Sequence, residues 1–366
     1  MTSVVEVRTR ARAMVTEPQA SYRQSSPGLR RLLAGATVTS FALMLLLTFL
    51  APLAYMASTS VKSSEQISDS AQPLLPRSPV TVEVDGRERP VLLVPVDGET
   101  REMVLVKPGR KESVFADPED TSKTMVWQGV YRTLQPVQQL DPQFKNFATV
   151  WSELNFPLLL RNTFAIALLG MVGTVISSVL VAYGLSRFRI PFAGFIVASL
   201  VAAIILPRFL TIVPTYAIYQ KLGLIGTWAP LVLPHFFANA YNVFLLRQFF
   251  LSIPKEMDEA AAIDGAGPLR TLWEVIVPQA RPAILTVAIL HFLFAWNDFL
   301  EPLVFLSGKD HLLPISVGLY QFLGLYSVRI GLLQAGALLG MAIPILVFVL
   351  GQRIFLRGID LSGSSK

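Results

Sequence analysis

Cysteine is absent from these 366 residues, charged side chains make up only 15% of them, and histidine occurs three times. Without cysteine there is neither a disulfide framework nor a thiolate metal site, and the redox compartment cannot be read from thiol usage. His235, His291 and His311 share no short ligand spacing, so no metal centre is expected. No Gly-x4-Gly-Lys-Ser/Thr phosphate loop occurs, which excludes the usual nucleotide cradle from this chain. The scarcity of charge, set against 52% hydrophobic residues and a mean hydropathy of +0.53, excludes an ordinary soluble globule, in which about a quarter of residues are charged. A formal net charge of +6 does not indicate nucleic acid, because the basic residues lie scattered between apolar stretches.

What is present is a set of long apolar runs. A helix needs roughly 20 apolar residues to cross about 30 Å of hydrocarbon. Six stretches qualify: 32–57, 162–185, 192–217, 226–246, 282–304 and 332–352, the third marked by Pro207, Arg208 and Pro214. Positive charge near span ends resists translocation. Arg8, Arg10, Arg12, Arg23, Arg30 and Arg31 precede the first span, Arg187 and Arg189 follow the second, Arg247, Lys255, Arg270 and Arg281 follow the fourth, and Arg353, Arg357 and Lys366 close the chain. On the opposite side the loop after the third span carries Lys221, and the loop after the fifth only Lys309 and Arg329. Both termini are therefore expected in the cytoplasm, with residues 1–31 and 358–366 as cytoplasmic segments. The first run is too long for a signal-peptide core and is followed by no clear A-x-A site, so it is expected to remain as an anchor.

Between the first two spans, residues 58–158 are far more polar. Val80–Val84 alternates, Asp85-Gly86 signals a turn, Val91–Val94 is a second strand, Asp97-Gly98 turns again, and Met103–Val106 is a third. This predicts a small β-rich insertion on the outer face, with an exposed loop over 117–123. The first 30 residues are expected to be disordered and Ser362–Ser365 to form a flexible end.

The stretch 252–282 predicts a short helix, a break and a second short helix. Pro254 suits a first helical turn, Glu256, Asp258 and Glu259 place negative charge at the helix N-terminus, and Gly265 suits a left-handed cap. Pro268 suits the start of the second helix, to which Leu269, Leu272, Trp273 and Ile276 give an apolar face; Pro278 and Pro282 turn the chain back into the membrane. Ala260, Ala261 and Ala262 leave a flank smooth enough for close approach by another protein.

These residues resemble a family. Glu259-Ala260-Ala261, three residues, Gly265, nine residues and Val275-x-Val277-Pro278 match the coupling-loop pattern of bacterial ABC importer permeases, with valine in two conservative positions. Asn146-Phe147, Arg161-Asn162-Thr163 and Trp296-Asn297-Asp298-Phe299 look most like the maltose-type carbohydrate permeases, and the likeness runs from about Asn146 to the C-terminus. The resemblance implies an all-α polytopic protein with six transmembrane helices in the bacterial inner membrane, the β-rich insertion being an addition. It implies no catalysis and no cofactor in this chain, and as partners a second permease subunit, an ABC ATPase dimer, an extracytoplasmic solute-binding protein and the lipid bilayer, with no nucleic acid. Glu259, Ala260, Ala261, Asp264, Gly265 and Pro278 are then the expected ATPase-coupling residues.

Solute contacts are sought where polar groups sit at membrane depth. Trp296, Asn297, Asp298 and Glu301 are the candidates. They either line the pathway or, alternatively, anchor the outer end of the fifth span. Arg208 either lines the pathway or pairs with an acid of the partner subunit, and His235 and His291 are expected in helix packing. A permease for a non-sugar solute fits the same coupling loop. An ion-coupled transporter fits less well, since the second, fourth and sixth spans carry almost no charge, and a membrane-anchored sensor leaves the loop unexplained.

Overall fold

The computed structural model describes residues 27–69, 74–96, 98–324 and 328–363, with side chains from Arg31 to Gln352. The expectations for residues 1–26, Asp97, Ser364 and Ser365 lie outside those residues. Met1–Ala54 forms one unit and Tyr55–Lys366 another. The described part of the first unit belongs to helix α1 (Pro27–Ser60), apolar on all sides and 34 residues long, so about 51 Å.

In the second unit, the short α2 (Ser64–Ser68) opens on a capping box in which Ser63 and Gln66 satisfy each other's backbone N–H groups. A five-stranded antiparallel sheet follows in the order β2-β3-β4-β5-β6, beside a two-stranded pairing of β1 with β7. The strands are β1 (Arg77–Pro79), β2 (Thr81–Val84), β3 (Arg87–Val96), β4 (Glu99–Lys107), β5 (Glu112–Ala116), β6 (Thr124–Gln128) and β7 (Gln138–Leu140). The Asp85-Gly86 turn forms as expected, both residues having positive φ (52° and 72°), the geometry that matches strand twist in a two-residue hairpin. Alternation sends Leu92, Val94, Met103 and Phe115 to one face and Val84, Val91 and Val104 to the other. Both faces are thus covered, which explains why the third strand looked like an unbroken apolar run. Strands β5, β6, β1 and β7 were not anticipated. Each is only three to five residues long, and pairing with neighbours is what makes them strands.

The insertion is tied at its base. Asn146, in α3 (Lys145–Glu153), is buried and donates from Nδ2 to the carbonyls of Ser60 (2.8 Å) and Lys62 (3.0 Å). Arg329 clasps Glu153 with both terminal nitrogens, at 2.7 and 3.0 Å, and holds that carboxyl below the usual carboxylate range. Both side chains stay more than two-fifths exposed, so the pair contributes at most about 1 kcal/mol.

The remaining elements are α4 (Phe156–Arg187), α5 (Ala193–Ile205), α6 (Arg208–Lys221), α7 (Ala229–Val232), α8 (Ala240–Ser252), α9 (Glu256–Ile263), α10 (Pro268–Thr271), α11 (Val277–Gln279), α12 (Arg281–Trp296), α13 (Leu300–Phe305), α14 (Ile315–Tyr320) and α15 (Ile330–Gly363). Among the described residues four helices are long and apolar enough to cross a membrane, and up to six crossings result if each of two bent pairs is one span. The expected third span is not one straight helix: α5 and α6 meet at 101°. Pro207 supplies the reason, since the residue before a proline is driven out of the helical region, and Leu206 has ψ 123°. The fifth span ends at Trp296 rather than 304, and the fourth runs on to Ser252 after a 3-10 turn at Leu233–Phe237. The tail is likewise corrected, since α15 continues through Gly363.

α4 organises the rest. Buried Asn162 donates to the carbonyls of His311 and Leu313, both at 3.0 Å, and the Thr163 hydroxyl accepts from the Ile315 N–H at 2.8 Å. Two polar residues at one end of a long apolar helix thereby hold the start of α14. At the other end Val179, Ala182 and Leu185 pack with Leu246, Phe250, Leu272 and Ile276.

Candidate functional site

Two places carry chemistry. The first is the loop between α8 and α12. Glu256, Asp258 and Glu259 occupy the first turn of α9, where the helix dipole favours them. The helix ends in a Schellman motif: the Gly265 N–H donates to the Ala262 carbonyl (3.0 Å) and the Ala266 N–H to the Ala261 carbonyl (2.9 Å), with Gly265 at φ 78°. That left-handed residue requires glycine, and the space a Cβ would enter is open. Pro254 lies two residues before the helix rather than in its first turn.

Beyond the break, Pro268 opens α10, and Leu272–Ile276 continues as a π-helical turn into α11. The expected apolar face divides into two i,i+4 pairs. Leu272 and Ile276 are fully buried, whereas Leu269 and Trp273 are 66% and 52% exposed. Ile263, at the end of α9, is 87% exposed. Exposed apolar side chains of this size, together with exposed Glu259, Ala260, Asp264 and Gly265, form a surface suited to a partner; Ala261 turns inward and Pro278 is half-buried. Pro278 and Pro282 flank the 81° bend that returns the chain to α12.

The second place is a cavity of about 490 Å³ between α5, α8 and α12, lined by Arg208, Asn239, Tyr241, Asn242 and Phe294 among others. Arg208 opens α6 immediately after the break. Its guanidinium contacts the Glu301 carboxylate directly, lies 3.9 Å from the Asp298 carboxylate and sits 4.6 Å from the Phe294 ring centre. The acid that pairs with Arg208 is therefore in the same chain, which the sequence separation of 93 residues concealed. Backbone N–H groups at the start of α13 also donate to Asp298.

Of the other candidates, Trp296 is 5% exposed and donates from its indole to the Gly340 carbonyl in α15 at 3.1 Å, which makes it part of the helix core. Asn297 is exposed and its amide returns to the Leu293 carbonyl at 2.8 Å. The structure thus brings Asp298 and Glu301 together with Arg208 and leaves Trp296 and Asn297 apart from them.

His235 and His291 meet in the helix packing, and both also line the cavity. Their rings meet edge to face at 4.3 Å, and His291 Nδ1 lies 3.1 Å from the Thr174 hydroxyl. They seat against a stripe of small residues on α4 that had drawn no attention in the sequence. A Cβ at Gly170 would come within 2.8 Å of His291 and one at Gly173 within 2.6 Å of the Phe236 ring, and the Ser177 hydroxyl donates to the His235 carbonyl at 2.9 Å. Small residues spaced three apart on a helix are the signal that could have found this. Gly173→Leu should overpack the seat and cost about 1–3 kcal/mol, measured as a lowered thermal midpoint of the detergent-solubilised protein.

Comparison with known proteins agrees with this layout. Residues 163–360 match the family model described as "Binding-protein-dependent transport system inner membrane component". A probable ABC transporter permease protein, YurM of Bacillus subtilis, is 34% identical over 223 residues, covering 61% of this chain and 73% of that protein. The diacetylchitobiose uptake system permease protein NgcG of Streptomyces coelicolor is 32% identical over 213 residues, covering 58% and 70%. The sn-glycerol-3-phosphate transport system permease protein UgpE of Agrobacterium fabrum is 36% identical over 203 residues, covering 55% and 71%. A bacterial ABC transporter involved in the import of the acidic polysaccharide alginate contains a chain of the same fold, at a TM-score of 0.61 and 21% identity, over 90% of this chain and 98% of that one. With more than half of its length inside the family model, the chain belongs to the inner-membrane permease subunits of binding-protein-dependent ABC importers.

Proposed function

We propose that this permease imports a sugar or oligosaccharide as one half of a translocation pathway, and that residues 254–278 form the handle by which a separate ATPase dimer drives it. In this reading each bent helix pair is a single span, giving six crossings with both termini in the cytoplasm and the β-rich insertion outside. A second permease subunit and an external solute-binding protein complete the assembly. The observation that carries the reading is the loop built around the Schellman-capped α9: Ile263 at the end of α9 and Leu269 and Trp273 beyond the break are exposed, while Leu272 and Ile276 fasten the same loop to the membrane helices. A rigid element with an apolar outer face and a buried root is what a lever needs.

A carbohydrate cargo is favoured by the cavity, where amide, phenol and guanidinium groups can bond hydroxyls and the Phe294 ring can cover an apolar sugar face. The name of the NgcG relative points the same way, while that of UgpE keeps phosphorylated polyols within the class. Isolation of the chain from its native membrane tests the proposal. Co-isolated ATPase and second permease, with ATP hydrolysis accelerated by a sugar-loaded binding protein, are expected. Solute uptake by this chain alone under an ion gradient would overturn it.

A further inference from the structure

The loop between α8 and α12 is fastened to α4 at three points through two side chains. Arg187, the last residue of α4, is 6% exposed; its Nε lies 2.9 Å from the Asp258 carboxylate in α9, and its Nη2 donates to the Ile253 carbonyl just before the loop at 3.1 Å. One turn earlier, Tyr183 donates from its hydroxyl to the Pro268 carbonyl at 3.1 Å, on the far side of the Gly265 break. The loop's entry, its first helix and the start of its second are therefore all referred to the end of one membrane helix.

A buried ion pair is a stiff connection, because separating it strands a desolvated charge. Arg187 Nε and Nη1 and both Asp258 carboxylate oxygens are buried and make no aligned hydrogen bond, so charge alone holds the 2.9 Å contact. Groups this enclosed are ordinarily satisfied on every edge. Because α4 runs 32 residues, about 48 Å, from Arg187 to the β-rich insertion's side, motion at its end is carried across the membrane.

We propose that Arg187 and Tyr183 are positioning residues that make α4, and not the broken third span, the first membrane helix to move when α9 is displaced. The inference rests on the coupling role proposed above. It implies that α9 and the inner half of α4 travel as one body, with the Arg187–Asp258 pair as the joint.

The absence of cysteine permits paired spin labels in the otherwise unmodified chain, in the complex isolated from its native membrane. Leu180→Cys with Glu256→Cys reports α4 against α9, and Glu256→Cys with Leu350→Cys reports α9 against α15; all three positions are exposed. ATP with EDTA, which binds without being hydrolysed, is the probe. The 256–350 distance is expected to change while the 180–256 distance stays fixed. In Arg187→Met the 180–256 distance should change as well, and ATP turnover dependent on the binding protein should fall about threefold or more, within the range by which such networks modulate coupling. Arg187→Lys should restore the fixed distance, and Tyr183→Phe, which removes one hydrogen bond and no charge, should loosen it partially. A 180–256 distance that already shifts in the unsubstituted chain, or one that stays fixed in both Arg187→Met and Tyr183→Phe, overturns the joint. A complex in which ATP shifts neither pair while the ATPase is bound refutes the coupling role itself.

Discussion

Gly265→Val should leave the permease in the membrane yet reduce sugar-stimulated ATP turnover by about 5–30-fold. The expected loss follows from backbone geometry. Gly265 holds φ at 78°, where a β-branched residue is strongly disfavoured, while a Cβ there would touch nothing within 4 Å. The damage is therefore to the angle between α9 and α10, with no damage to packing. Left-handed geometry costs an L residue about 1–2 kcal/mol, enough to shift a two-state equilibrium by the stated factor. Asparagine tolerates this region, so Gly265→Asn should keep most of the activity although it adds a larger polar side chain. The measurement is ATP hydrolysis by the assembled complex with and without the sugar-loaded binding protein. Equal losses in the two variants would show that side-chain bulk at the partner surface, and not the turn, is what matters.

That turn was legible in the sequence because it is local. Acidic residues, alanines, glycine and proline in one short stretch each have a physical reason to sit where they do, and α9, its cap and the start of α10 form accordingly. The second helix was half legible. Periodicity placed Leu269, Leu272, Trp273 and Ile276 on an apolar face, but a run of residues does not show which of them the fold buries: Leu272 and Ile276 are enclosed, whereas Leu269 and Trp273 stay exposed.

Long-range pairings were out of reach for a different reason. Nothing local links Arg208 to Glu301, Asn162 to Leu313 or Arg187 to Asp258; only the folded arrangement of helices sets those partners. Hydropathy found the apolar runs but not the break within the third one, although Pro207 stood in it. Composition reports burial in lipid, and a re-aimed helix pair has the same composition as a straight span. Asn146 and Asn162 entered through family likeness alone, and their work turned out to be structural: each is a buried amide that ties remote carbonyls together.

Arg208→Gln is expected to have the other large effect, lowering the thermal stability of the complex and cutting sugar transport at least tenfold. The substitution leaves Asp298 and Glu301 without their shared cation, with side chains only 15% and 26% exposed. An unpaired charge at membrane depth costs about 2.5–3.5 kcal/mol on insertion scales, and every 1.4 kcal/mol is a tenfold change in an equilibrium. Arg208 itself is 48% exposed toward the cavity, so solvent recovers part of that cost and the lower end applies. Arg208→Lys keeps the charge but gives up the planar stacking on Phe294, which predicts stability close to the original with weaker transport. The decisive variant is Arg208→Gln combined with Asp298→Asn and Glu301→Gln. If the triad only stabilises the fold, removing all three charges should restore both the thermal midpoint and transport. If the triad also meets the solute, the midpoint should recover while transport does not, because neutral amides cannot replace the charge-assisted hydrogen bonds that guanidinium and carboxylate offer to sugar hydroxyls.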